Sequence, residues 1–271
     1  MSGLNQKIIA ITGGTRGLGW AITTRLAVAG ATVYCCGLSE GGLAEAARQR
    51  AGLAAAERIH LGQCDVSQQA AYEAWLDQIY HQHGRLDVLI HNAAFIRWVD
   101  LIDMPTTDAI RSMEVGYHAL VYGTKKVLPW FLAQNSGHFI NIGSITGNIF
   151  AGSASAAYSA TKAAIDGFSQ TLHTELYQTP IQVTLMRLGA IQDTNFFGEH
   201  VAAERMPRVA DMVPLLTPEG VAEAVLKTIK APRPIVTLPY IYRWLHIIFA
   251  LTPHFSQWLG RLGGTSQRHY A

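Results

Sequence analysis

Ile8-Ile9-Ala10-Ile11-Thr12-Gly13-Gly14-Thr15-Arg16-Gly17-Leu18-Gly19 is the stretch on which the fold of this chain turns. Its apolar start reads as a buried strand, its glycines as a tight turn, and the helix-like pattern that follows runs to Ala29. Glycine lets a backbone come close to a pyrophosphate, and the N-terminus of the next helix offers N–H groups and a favourable dipole. Gly13, Thr15, Arg16, Gly17, Leu18 and Gly19 are therefore candidate dinucleotide-binding residues.

Outward from this stretch, apolar strand-like runs at 8–12, 32–36, 59–63, 88–91, 138–142, 182–187 and 235–238 alternate with longer helical patterns. Strands alternating with helices predict an α/β fold, a Rossmann-type doubly wound parallel sheet of about seven strands with helices on both faces. Right-handed crossovers and a reversal of strand order beside the first strand put a ligand crevice at the carboxyl ends of the strands. The glycine turn, Asn92 and Ser144 all fall at that edge.

A second pattern concerns proton transfer. Tyr158 and Lys162, in Tyr158-Ser159-Ala160-Thr161-Lys162, are four residues apart and share one helix face. An ammonium beside a phenol lowers its pKa from about 10 toward working pH and makes it a usable general acid or base. Ser144 follows the run His138-Phe139-Ile140-Asn141-Ile142, so its hydroxyl stands at a strand end where it can hydrogen-bond a substrate oxygen.

With these motifs in order, the chain resembles the short-chain dehydrogenase/reductase family from about residue 7 to residue 238. Asp65-Val66, after the third strand, resembles the family's adenine-contacting pair, and Asn92-Ala93-Ala94, after the fourth, its Asn-Ala-Gly. The resemblance implies a catalytic set of Ser144, Tyr158 and Lys162, with hydride exchanged at carbon while Tyr158 gives or takes the oxygen's proton. It gives Lys162 a second role, holding the cofactor's ribose hydroxyls, and implies a homodimer or homotetramer.

Cofactor choice follows from the end of the second strand, Tyr34-Cys35-Cys36-Gly37-Leu38-Ser39. Gly37 stands where NAD-using members carry Asp, so no anion opposes a 2′-phosphate. Arg16 and, more weakly, Ser39 can contact that phosphate, which favours NADP(H) over NAD(H). Leu38 stands where many NADP-using members have Arg.

The departures are informative. The family's catalytic Asn, counted back from Leu128-Pro129, is Gly116 here, and a mid-helix glycine costs about 1 kcal/mol relative to alanine. Space or a helix distortion is therefore expected at Gly116, with substrate or water filling it, and His118 is a weaker candidate for replacement acid or base. After the sixth strand the family's Pro-Gly reads Leu188-Gly189, followed by Ile191, and Thr194 sits one residue later than the family's carboxamide-contacting threonine. These changes keep a second reading open: a non-redox enzyme of dehydration or cyclisation, or a cofactor-binding regulatory module.

The 271 residues, 49% apolar and 15% charged, suffice for one domain, with a core of about 7–238 and a tail of 239–271. A net charge of +2 without a Lys/Arg run gives no reason to expect a nucleic-acid partner. Cys35, Cys36 and Cys64 read as reduced core thiols of a cytoplasmic protein, and His81 and His83 as a solvated pair. No metal-ligand spacing, signal peptide or spanning helix is expected.

Phe196, Phe197, Met206, Met212, Val213 and Leu215 make the stretch 195–216 apolar, which suits a loop closing over a hydrophobic small-molecule substrate. The tail predicts two amphipathic helices, one with Ile241, Trp244, Leu245 and Ile248, the next starting at Thr252-Pro253 with Phe255, Trp258, Leu259 and Leu262. Docking within the protein or an oligomer is the default for these helices. Lining the substrate entrance and lying on a membrane surface, with Arg243, Arg261 and Arg268 toward headgroups, are the other readings.

Overall fold

A computed structural model describes residues 4–149, 155–192 and 213–252. Seven parallel strands form one sheet: β1 (Ile8–Thr12), β2 (Thr32–Gly37), β3 (Ile59–Gln63), β4 (Val88–His91), β5 (Gly137–Ile142), β6 (Ile181–Leu188) and β7 (Ile235–Leu238). The strand order is β3-β2-β1-β4-β5-β6-β7, so the direction of winding reverses between β1 and β4. This is the expected Rossmann-type doubly wound sheet.

The helices are α1 (Gly17–Val28), α2 (Glu40–Ala51), α3 (Gln69–His83), α4 (Thr106–Met113), α5 (Ala119–Ala133), α6 (Ala156–Glu175), α7 (Pro218–Lys230) and α8 (Ile241–Leu251). The central strands read as largely apolar, buried runs because both faces of the sheet are covered there, while the edge strands β3 and β7 are only partly buried. Ile9, Ile11, Val33 and Ile90 face α1 and α7 through Ile22, Leu26, Val221 and Val225. Their neighbours Ile8, Ala10, Tyr34 and Leu89 face the other way, onto Tyr72, Leu76, Val127 and Leu172 of α3, α5 and α6.

Helix α6 buries Tyr158, Thr161, Lys162, Ile165, Asp166, Ser169 and Leu172, one face at three- and four-residue spacing. The face that carries the tyrosine and lysine is thus the face that packs. It is held by a buried ion pair in which Arg187 of β6 donates from Nε to Asp166 Oδ2 at 2.7 Å and from Nη2 to Oδ1 at 2.9 Å.

All three cysteines are buried and free. The histidine pair near the end of α3 departs from expectation: His83 Nε2 lies 2.7 Å from the Tyr34 hydroxyl, because β2 brings that phenol across the end of α3, while His81 is exposed.

Asp166→Ala leaves the Arg187 guanidinium buried without its partner and should cost about 3–5 kcal/mol in urea denaturation. The double variant Asp166→Ala/Arg187→Met should cost clearly less than the two single changes added together; simple additivity would show that the pair does not clamp α6 to β6.

Candidate functional site

The carboxyl ends of the strands open into a cleft of about 1150 Å³. Its wall includes Gly13, Thr15, Arg16, Gly17, Leu18, Gly19, Gly37, Ser39, Asp65, Val66, Asn92, Ala93, Ser144, Tyr158, Lys162, Gly189 and Ile191. Every residue proposed from the sequence for catalysis or cofactor binding by the family motifs lines this one cavity except Thr194, which lies outside the described residues.

The glycine turn forms one end. Gly13 has φ +64° and Gly17 φ +50°, and a Cβ on Gly13 would lie 2.9 Å from Ala93 Cα, so the turn needs glycine for both conformation and space. Arg16 caps α1 without a side-chain hydrogen bond to its N–H groups, and the first turn has no acidic residue. That leaves a positive helix end facing the cleft, the chemistry that accepts a diphosphate. Asn92 secures the turn: its Nδ2 donates to Thr12 O at 3.1 Å and Gly13 O at 2.9 Å, while Asn92 N and Ala93 N each donate to Thr12 Oγ1 at 3.1 Å.

At the end of β2, a side chain on Gly37 would collide with the Thr15 hydroxyl, so an acidic residue there would require Thr15 to shift. Ser39 is the N-cap of α2 and accepts from Gly42 N at 3.2 Å. Asp65 is paired with Arg111 of α4 at 2.8 Å and accepts from Ser67 N and Oγ. Burial pushes its carboxyl up, but Arg111 and Ser67 outweigh that and hold it below the ordinary carboxylate value.

The other end holds Ser144, Tyr158 and Lys162. Ser144 Oγ accepts from Thr146 N at 3.2 Å and Thr146 Oγ1 at 3.0 Å, which fixes the hydroxyl at the start of a short turn. Lys162 Nζ donates to Ile142 O at 2.8 Å and stands 5.7 Å from the centre of the Tyr158 ring. The expected lowering of the phenol by the ammonium is not found. Burial pushes Tyr158 up to about 12, with a Ser144 hydrogen bond pulling the other way, and burial brings Lys162 down to about 8. The physical reason is that Lys162 addresses the ring face and directs one of its three donors to a main-chain carbonyl, so desolvation outweighs charge at both groups.

Gly116 is buried in a single π-type turn, Glu114–His118, that joins α4 to α5. The distortion anticipated from the glycine is present, but the space is filled by protein rather than by substrate or water. A Cβ at Gly116 would collide with the Thr161 methyl, and Thr161 Oγ1 bonds Ser112 Oγ at 2.9 Å and Ala157 O at 2.9 Å. His118 is exposed and does not line the cleft, which removes it as a replacement acid or base.

The sequence did not single out Arg111, Trp98 or Thr161. Trp98 also lines the cleft, with its ring 6.2 Å from that of Tyr158. Tyr242, Leu245 and Phe249 of α8 join Ile149 and Val213 to form an apolar wall. The tail therefore lines the entrance through residues other than most of the predicted stripe, since Ile241, Trp244 and Ile248 face outward. Its second predicted helix, and Phe196, Phe197, Met206 and Met212, lie outside the described residues.

Comparison with known proteins gives a consistent set of likenesses. The profile of the short chain dehydrogenases matches residues 7–205. An uncharacterized oxidoreductase of Staphylococcus aureus (strain MRSA252) is 31% identical over 233 residues, 86% of this chain and 95% of its own. The NADP-dependent 3-hydroxy acid dehydrogenase of Escherichia coli (strain K12) is 31% identical over 222 residues, 80% of this chain and 87% of its own. Among solved structures, the closed form of serine dehydrogenase complexed with NADP+ superposes with a TM-score of 0.73 at 29% identity, covering 85% of this chain and 94% of its own.

Two outcomes follow from the geometry. Lysine with a folded pKa near 8, below its usual 10.5, costs stability while it is charged. That cost is fully present below pH 8 and fades as pH rises toward 10.5. Lys162→Met should therefore raise the melting temperature at pH 7, with the advantage shrinking across that window; an unchanged or lower melting temperature at pH 7 would contradict it. Gly116→Asn should lower stability by about 1–3 kcal/mol through overpacking. Adding Thr161→Ala should recover most of that, and full stability of the single variant would show that Thr161 is not in the way.

Proposed function

The chain belongs to the short-chain dehydrogenase family, and on that basis we propose that it is an NADP(H)-dependent oxidoreductase interconverting a ketone and a secondary alcohol on a hydrophobic small molecule. The observation that carries this reading is the sharing of one cleft by the glycine turn and by Ser144, Tyr158 and Lys162. The turn and the α1 N-terminus would hold the diphosphate, and Arg16, exposed and lining the same cleft as Gly37, would meet the 2′-phosphate. Ser39 accepts from Gly42 N through its oxygen and keeps its hydroxyl proton to donate to the same phosphate. The E. coli relative is NADP-dependent and the similar serine dehydrogenase is a complex with NADP+, in agreement with this assignment.

When bound, NADPH supplies the hydride for the substrate carbon. Ser144 orients and polarises the substrate oxygen. Tyr158 delivers or removes that oxygen's proton, and Lys162 would hold the ribose hydroxyls, its charge favouring the phenolate only once Nζ turns to the phenol oxygen. A phenol pushed up by burial is a competent acid for ketone reduction. Working as a base in the reverse direction requires the ammonium to swing from Ile142 O toward the phenol oxygen.

Substrate class follows from the wall. The E. coli relative and the similar serine dehydrogenase are named for a 3-hydroxy acid and for serine, both of which carry a carboxylate. Here the Arg111 charge in the cleft is met by Asp65, and Trp98, Ile149, Tyr242, Leu245 and Phe249 supply apolar surface. A lipophilic ketone or alcohol suits that lining better than an anion. The filled space at Gly116 is the observation that favours the second reading, non-redox chemistry on the same fold, because it leaves Lys162 without the family's asparagine.

Tyr158→Phe tests the proposal. NADPH consumption with lipophilic ketones should fall by at least about 10²-fold, the usual worth of a positioned acid, with NADPH binding retained. Undiminished turnover in the variant would remove Tyr158 from the reaction.

A further inference from the structure

Helix α8 has apolar residues on both sides, and the cleft uses only one of them. Tyr242, Leu245 and Phe249 point to the cavity. Trp244 is 69% exposed, Leu251 77%, Ile241 49%, and Ile247 and Ile248 45% each. At 100° per residue these five occupy roughly a third of the helix circumference. Exposed Arg243 lies at the edge of that arc, and Tyr240 extends it at the N-terminal end.

The charge pattern indicates what meets this face. No Asp or Glu occurs from Ala224 to Ala271, whereas Lys227, Lys230, Arg233, Arg243, Arg261 and Arg268 do, in a chain whose net charge is only +2. Arg261 and Arg268 lie outside the described residues; within α8 nothing repels an anionic surface, and the exposed Arg243 is, His246 aside, its one charged side chain at pH 7. A contact between copies through α8 would bring together two helices that each carry Arg243 and no carboxylate, so neither could pair the other's charge. Eleven residues span about 16 Å, half of a bilayer's hydrocarbon core, and no helix among the described residues is long and apolar enough to cross a membrane. Exposed Trp and Tyr beside aliphatic residues and a cation is the composition of a helix lying in the headgroup region.

We propose that the outer face of α8 seats this protein on the surface of an anionic lipid bilayer. The helix then stands between lipid and cleft, with Trp244, Ile248 and Leu251 in the acyl boundary and Tyr242, Leu245 and Phe249 toward the cavity. The docking surface stands independently of the redox reading. Only its consequence, that a lipophilic substrate enters from the bilayer, rests on that reading.

Flotation of the full chain with vesicles tests the proposal directly. The protein should float with vesicles of phosphatidylcholine and phosphatidylglycerol, less with phosphatidylcholine alone, and less again in high salt. Trp244→Glu/Ile248→Glu should partition at least about tenfold more weakly, from the lost apolar burial, with circular dichroism and NADPH binding unchanged. Because Tyr158→Phe should float as the parent does, a failed redox assay leaves this result intact. Absence of flotation with either vesicle, or flotation of the double variant like the parent, would overturn the proposal. So would a double variant that changes oligomeric state without changing vesicle binding, which would make the face a contact between copies.

Discussion

The site depends on a small knot of hydrogen bonds at the point where strand order reverses. Thr12 ends β1 and accepts two main-chain N–H groups from the turn after β4, while Asn92 returns two hydrogen bonds to the main chain of the glycine turn. Thr23 of α1 closes the other side by donating to Gly14 O at 3.1 Å and Gly19 O at 2.9 Å. These bonds are buried or half-buried, where a satisfied network is worth more than in water and a broken one costs more. The turn is therefore shaped by the protein itself, so that a diphosphate would meet donors already in place.

The reacting end is built differently, from groups that burial makes expensive. Lys162 and Tyr158 are both nearly inaccessible, at 5% and 8% exposure, and each is shifted toward its neutral form. Such groups persist because the same helix face is anchored elsewhere, by the Asp166–Arg187 pair and by Ile165 and Leu172 in the core. Stability is given up at the centre of α6 and recovered along its length, the usual relation between an active site and its scaffold.

How far the sequence could be read depended on how local each signal was. The seven strands were legible to within a residue or so because the central ones are buried apolar runs and the edge strands β3 and β7 are short β-branched or apolar starts set between turn residues. Cleft-lining residues were legible because glycine spacing and the Tyr158–Lys162 interval are short-range patterns. The sign of the Tyr158 shift was not, since it depends on where Nζ points and on how dry the pocket is. Neither was the filling of the Gly116 space by Thr161, 45 residues later in the chain, nor the Arg111–Asp65 pair, whose partners are 46 residues apart. The inward side of α8 was misjudged because the helix is apolar nearly all round, so periodicity alone could not choose between Trp244 and Phe249.

Everything proposed for this cleft requires that it hold NADP(H), with Arg16 and the lack of an anion at Gly37 setting the preference. Titration of the purified protein with NADPH and with NADH, followed by tryptophan-to-nicotinamide energy transfer, tests this without knowledge of the substrate. A charge-assisted contact to the 2′-phosphate predicts NADPH binding at least about tenfold tighter than NADH. Equal affinities, tighter NADH, or binding of neither would contradict it.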